Sequence, residues 1–141
     1  FKSSDFLVLD DYAHHPTEVR ASLQALRELY PKGDKKITVI FQPHLYSRTK
    51  ALFNDFVKCF NLADSVYLLP IYFARESQDE SVSSDLLAEA VRKEGVEIQS
   101  FPDFETAQKE IKGKNWGQND VLVTMGAGEA YKIVDQTMKF S

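Results

Sequence analysis

Two short stretches hold most of the residues in this chain that can grip a small molecule, move a proton or meet an anion. The first is Asp10-Asp11-Tyr12-Ala13-His14-His15-Pro16-Thr17-Glu18, and the second is Gln42-Pro43-His44-Leu45-Tyr46-Ser47-Arg48-Thr49-Lys50. Each follows an apolar run and precedes a helical pattern, so each lies where a strand's carboxyl end meets a helix's amino end. Turns that only connect elements use Gly, Asn, Ser and Pro for backbone reasons. These two carry titratable side chains instead. In open α/β sheets that edge is where ligands bind, and the first amides of a helix are free donors that suit anions. A third stretch, Met125-Gly126-Ala127-Gly128-Glu129, follows a strand, and its glycines allow close backbone approach to a ligand. It also reads as a plain tight turn, because the third glycine of the dinucleotide fingerprint is missing.

The residue types leave several chemistries open. His14, His15 and His44 admit a metal reading, since imidazole is a common zinc ligand, but adjacent residues seldom ligate one ion and no Cys or His spacing supports it. One of His14 and His15 is expected to cap the first helix. Asp10 and Asp11 match the acidic pair of a phospho-receiver, yet such a domain needs an Asp at the end of strand three, where this chain reads Leu68-Leu69-Pro70. Arg48 is either a solvated surface cation or part of an anion site. A cation at a helix amino end is unfavourable unless an anion sits nearby.

Periodicity supplies the elements that position these groups. Residues 6–9 read as a strand, and 16–30 as a helix with Val19, Leu23, Leu26 and Tyr30 on one face. Pro16 suits its first position, and Glu18 its dipole-favoured first turn. Residues 37–41 are a β-branched apolar run, the pattern of a strand covered on both faces. Ser47 is expected to cap the next helix, which buries Leu52, Phe53, Phe56 and Phe60. Strand three covers 65–69, and the polar loop 70–82 is long enough to expect a functional role. Ser83 or Ser84 caps a helix burying Leu86, Leu87, Ala90 and Val91; 97–101 is a strand, Asp103 caps a helix to Lys112, and 120–124 is the fifth strand. A last helix carries Tyr131, Ile133, Val134 and Met138. The alternation predicts one α/β domain over 1–141, a three-layer Rossmann-like, doubly wound and mostly parallel sheet.

Composition narrows the partners. The net charge of −4 argues against nucleic acid, which calls for a basic face. No apolar run reaches the ~18 residues of a membrane span and these residues show no signal-peptide pattern, so neither a span nor export is expected. The single Cys59 forms no internal disulfide and fits a reducing cytoplasm. The opening at Phe1, without Met, reads as a piece of something longer.

Taken together, the two stretches with Ile71-Tyr72, Ala74-Arg75-Glu76, Val82-Ser83-Ser84 and Met125-Gly126-Ala127-Gly128 resemble the C-terminal domain of the Mur ligase family across essentially the whole chain. Within that family the pattern is most similar to the branch that joins L-alanine to UDP-N-acetylmuramate. The resemblance implies ATP- and magnesium-dependent amide synthesis in cytoplasmic peptidoglycan assembly, with the muramyl carboxylate phosphorylated and the phosphate then displaced by the amine. It implies partners in the same chain, an N-terminal domain for the sugar nucleotide and a central domain whose P-loop holds the ATP phosphates and most of the Mg2+ contacts. By analogy, Asp11 and Tyr12 would lie against the ATP ribose and adenine. His14 and Arg48 would face the alanine and the reacting centre, with His15 and His44 also on the substrate side. Many relatives carry a second Arg where this chain has Leu45, and the loop Ser77-Gln78-Asp79-Glu80-Ser81 is more acidic than the usual form. No Gly-x-x-x-x-Gly-Lys-Ser/Thr is present, so the chain alone is expected to be inactive. The rival readings are the sibling ligase that attaches a recycled peptide to the same sugar nucleotide, and a nucleotide- or anion-binding module without chemistry.

Overall fold

Along the central strand, side chains alternate between two cores, as the two-residue period of a pleated strand requires. Ile37, Val39 and Phe41 enter one apolar cluster and Ile40 the other, so both faces of the sheet are covered. The computed structural model describes residues 7–133. Its elements run β1 (Leu7–Asp11), α1 (Pro16–Leu29), β2 (Lys36–Phe41), α2 (Tyr46–Ala51), α3 (Phe53–Cys59), β3 (Ser65–Leu68), α4 (Ser84–Arg92), β4 (Glu97–Ser100), α5 (Phe104–Lys112) and β5 (Asp120–Met125). Phe6, Val134 and Met138, assigned above to a strand and a helix, lie outside the described residues.

The sheet order is β1-β5-β2-β3-β4, and every pairing is parallel. Chain direction explains which helix covers which face. The steps from β1 through β4 all move one way across the sheet, so right-handed crossovers put their helices on one side. Val19, Leu23 and Leu26 of α1, Phe56 and Cys59 of α3, and Leu87, Ala88 and Val91 of α4 accordingly share one core. The step from β4 to β5 runs backwards, and Ala107 and Ile111 of α5 pack on the opposite face, with Ala130 and Ile133 beyond β5. The chain after β5 thus turns to one face and the chain after its neighbours β1 and β2 to the other. A crevice opens at their carboxyl ends, the switch point where open α/β sheets bind ligands.

Local expectations hold where the determinant is local. His15 is the N-cap of α1, with Thr17 N–H donating to its Nδ1 at 3.2 Å, and Glu18 completes a capping box. Ser83 and Asp103 cap α4 and α5. Three expectations are corrected. Ser47 does not cap the second helix: Tyr46 is already helical, and the N-cap position falls on Leu45, which makes no side-chain cap bond. That helix also breaks at Leu52 into α2 and α3. In α4 the buried face is Ser84, Leu87, Ala88 and Val91, while Leu86 is exposed and Ala90 half-buried. The buried set keeps the helical spacing of three, four and seven residues; Leu86 and Ala90 turn onto the flank, where they line a groove of about 370 Å³ with Phe53 and Val82.

Candidate functional site

β1 delivers Asp11 to the crevice, where its Oδ1 accepts the Ala13 amide at 2.8 Å and bends the chain toward α1. Asp10 is turned aside and accepts from the Thr124 hydroxyl at 2.6 Å. Tyr12 stands 69% exposed, available to a ligand, with its ring edge-on to His14 at 5.3 Å between centroids. His14 Nδ1 is 3.1 Å from the Tyr12 carbonyl and 3.5 Å from Glu18 Oε1. A carbonyl only accepts, so the proton of neutral His14 belongs on Nδ1 and Nε2 is its basic nitrogen. Glu18 accepts the amides of His15 at 3.0 Å and His14 at 3.2 Å, and these bonds hold its carboxyl below the usual range.

β2 delivers His44 and Arg48. The His44 ring lies 6.3 Å from that of His14 and stacks on Tyr72 at 5.1 Å. Arg48 Nη1 donates to His44 Nδ1 at 3.4 Å, which puts the His44 proton on Nε2, the opposite tautomer from His14. Burial first, then the Arg48 guanidinium and the nearby His14 ring, push the His44 pKa below its ordinary value, against an opposing pull from Glu76. His44 is therefore neutral at physiological pH and acts as an acceptor for the guanidinium.

The structure thus joins Tyr12, His14, His44 and Arg48 in one line of contacts across β1 and β2. It directs His15 elsewhere, since its Nδ1 is engaged by the α1 cap. Lys50 points away toward Asp79, 3.5 Å distant. Among the described residues no group of three or more His, Cys, Asp or Glu is placed to hold a metal ion.

The two glycines after β5 are required by their packing against Gln42. Their backbone approaches Gln42: a Cβ on Gly126, at φ +141, would lie 3.0 Å from the Gln42 carbonyl, and one on Gly128 would lie 2.4 Å from Gln42 Oε1. Gln42 is 4% exposed. Its Oε1 accepts the Glu129 amide at 2.8 Å and its Nε2 donates to the Pro70 carbonyl at 3.2 Å, so one amide side chain clips the loops after β3 and β5 to the end of β2. In the sequence Gln42 stands only as part of a motif. A long amide at the end of a largely apolar strand is the available signal, because a buried amide needs partners on both atoms.

Residues 1–128 match the family described as "Mur ligase, glutamate ligase domain". The chain is 40% identical over 136 residues to UDP-N-acetylmuramate–L-alanine ligase of Clostridium perfringens, covering 96% of this chain and 29% of that protein. It is 46% identical over 122 residues to the ligase of the same name from Desulfotalea psychrophila, covering 86% and 26%. The UDP-N-acetylmuramate–alanine ligase MurC of Thermotoga maritima superposes with a TM-score of 0.72 at 27% identity, covering 95% of this chain and 26% of that one. The chain spans less than a third of the length of these relatives. No described helix is long and apolar enough to cross a membrane. The matched span, the relatives and the parallel five-stranded sheet with its crevice agree: the chain belongs to the Mur ligase family, as its C-terminal domain.

Proposed function

We propose that this chain is the third domain of an ATP-dependent cytoplasmic ligase that joins L-alanine to UDP-N-acetylmuramate, closing over a nucleotide and a sugar nucleotide held by two preceding domains. The observation that carries the reading is the contact line Tyr12, His14, His44, Arg48 at the switch-point crevice, in a chain 40–46% identical to ligases of that name. ATP supplies the phosphoryl group that activates the muramyl carboxylate as an acyl phosphate. The residues of this chain then manage the incoming amino acid. Arg48 offers a planar, paired set of donors to the alanine carboxylate, and the neutral His44 holds that plane without competing for charge. His14, with Nδ1 fixed by the Tyr12 carbonyl, keeps Nε2 free to take the proton that the alanine ammonium must lose before its nitrogen can attack. Asp11 and the exposed Tyr12 ring suit the ribose and base of the nucleotide.

Arg48→Lys in the intact ligase tests this. Lysine keeps the charge and loses the fork, so the L-alanine KM should rise strongly while the sugar-nucleotide KM stays. The expected loss is about 1.5–3 kcal/mol for bonds to a charged group, or on the order of tenfold to a hundredfold in kcat/KM. An unchanged L-alanine KM in this variant would remove Arg48 from the amino-acid site.

A further inference from the structure

The helix that carries Arg48 cannot hold itself in place. α2 is six residues long, its N-cap residue Leu45 sits at φ 72 with no side-chain cap bond, and Leu52 ends it. A helix that short has little stability of its own, and its first amides need acceptors from elsewhere.

The loop 70–82 supplies them, running beside the segment 43–50 and touching it in sequence order. The Tyr72 amide donates to the Pro43 carbonyl at 2.8 Å, and the Leu45 amide donates to the Tyr72 carbonyl at 2.6 Å, while the Tyr72 ring stacks on His44. Phe73 stacks on Tyr46 at 6.1 Å. Glu76 Oε1 accepts the Ser47 amide at 3.2 Å. Asp79, itself tied to the Ser81 hydroxyl and amide at 2.6 and 2.9 Å, reaches Lys50 at 3.5 Å. The Ser47 side chain first, then the Ser47 and Tyr46 amides, hold the Glu76 carboxyl below the usual range, as expected of an anion at the amino end of a helix.

We propose that this loop is a strap that sets the position of α2, and that Glu76 is a positioning residue for Arg48, capping the helix from outside so that its guanidinium meets the amino-acid carboxylate. The carboxylate takes up the first-turn donors of α2, which leaves an incoming carboxylate to the guanidinium one residue further on. This accounts for the acidic run at 77–81, where Asp79 is the second anchor. The inference rests on the reading of Arg48 given above.

The test uses the intact ligase with Glu76→Ala, Glu76→Gln and wild type side by side. Glu76→Ala should raise the L-alanine KM by about threefold to tenfold, the scale of a lost cap expressed in binding, with the ATP KM unchanged. Glu76→Gln keeps an acceptor oxygen and should recover most of that loss. Hydrogen exchange at the Ser47 amide, measured on the same proteins, should accelerate in Glu76→Ala. Three results overturn the strap: an unaltered L-alanine KM in Glu76→Ala, unaltered Ser47 exchange, or all substrate KM values shifting together with a lowered Tm, which marks a merely structural cap. A wild-type ligase without alanine-dependent turnover would instead overturn the reading of Arg48, and the Ser47 exchange result would still decide whether Glu76 holds α2.

Discussion

Gln42 and Gly128 should be strongly coupled, although each stands in a different loop. Gln42→Ala removes two hydrogen bonds, to the Glu129 amide and the Pro70 carbonyl, worth about 1–3 kcal/mol together. Gly128→Ala puts a Cβ 2.4 Å from Gln42 Oε1 and 3.2 Å from its Cδ. No real contact is so short, so the amide must leave its partners and much of the same energy is lost. The Gly128 backbone is outside the left-handed region, hence alanine adds no strain of its own. In the Gln42→Ala background the nearest remaining neighbour is the Tyr72 Cβ at 3.6 Å, an ordinary contact. There Gly128→Ala should be neutral, or stabilising by up to about 1 kcal/mol through the unfolded chain. Urea unfolding of the four proteins in this cycle should therefore show a coupling of at least ~1 kcal/mol, or roughly 3–5 °C in Tm for a chain of this size. Costs that simply add, within about 0.5 kcal/mol, would refute the clip and return Gly128 to the status of a plain turn residue.

Two further outcomes follow from groups away from the crevice or turned aside from it. Asp64 accepts from Arg27 at 2.6 Å and from the Ile37 amide at 2.7 Å; burial raises its pKa, but these bonds outweigh that and leave it lowered. A lowered native pKa contributes stability above the unfolded value of about 3.9 that is lost as pH falls through the native one. Asp64→Asn should thus cost about 1.5–3 kcal/mol at neutral pH, and urea unfolding below about pH 4 should show the gap to wild type closing; a gap independent of pH would contradict the ion pair. His15→Ala should lower stability by about 0.5–2 kcal/mol through the lost α1 cap, with L-alanine and ATP kinetics of the intact ligase unchanged, and a specific rise in the L-alanine KM would return His15 to the substrate side.

Much of this protein is decided within short stretches of its sequence. The spacing of Val19, Leu23 and Leu26, the apolar run 37–41, and the caps at Ser83 and Asp103 set their elements through contacts only a few residues long, which is why they are legible without a fold. Tyr12, His14 and His44 stand out in the sequence for a related reason, since such side chains between a strand and a helix have no connecting role to explain them, and Arg48 stands out as a cation in the first turn of a helix. What the chain alone leaves open is every contact set by strand order. Inserting β5 between β1 and β2 brings Glu129 to Gln42 across 87 positions, so the purpose of Gly128 depends on a neighbour that no local pattern names. The same holds for Ser47, a residue type suited to capping a helix with its own hydroxyl, which instead lies inside α2 and donates its amide to Glu76 29 positions away. A polar atom must find a partner, and only the packed fold decides which one comes within 3 Å.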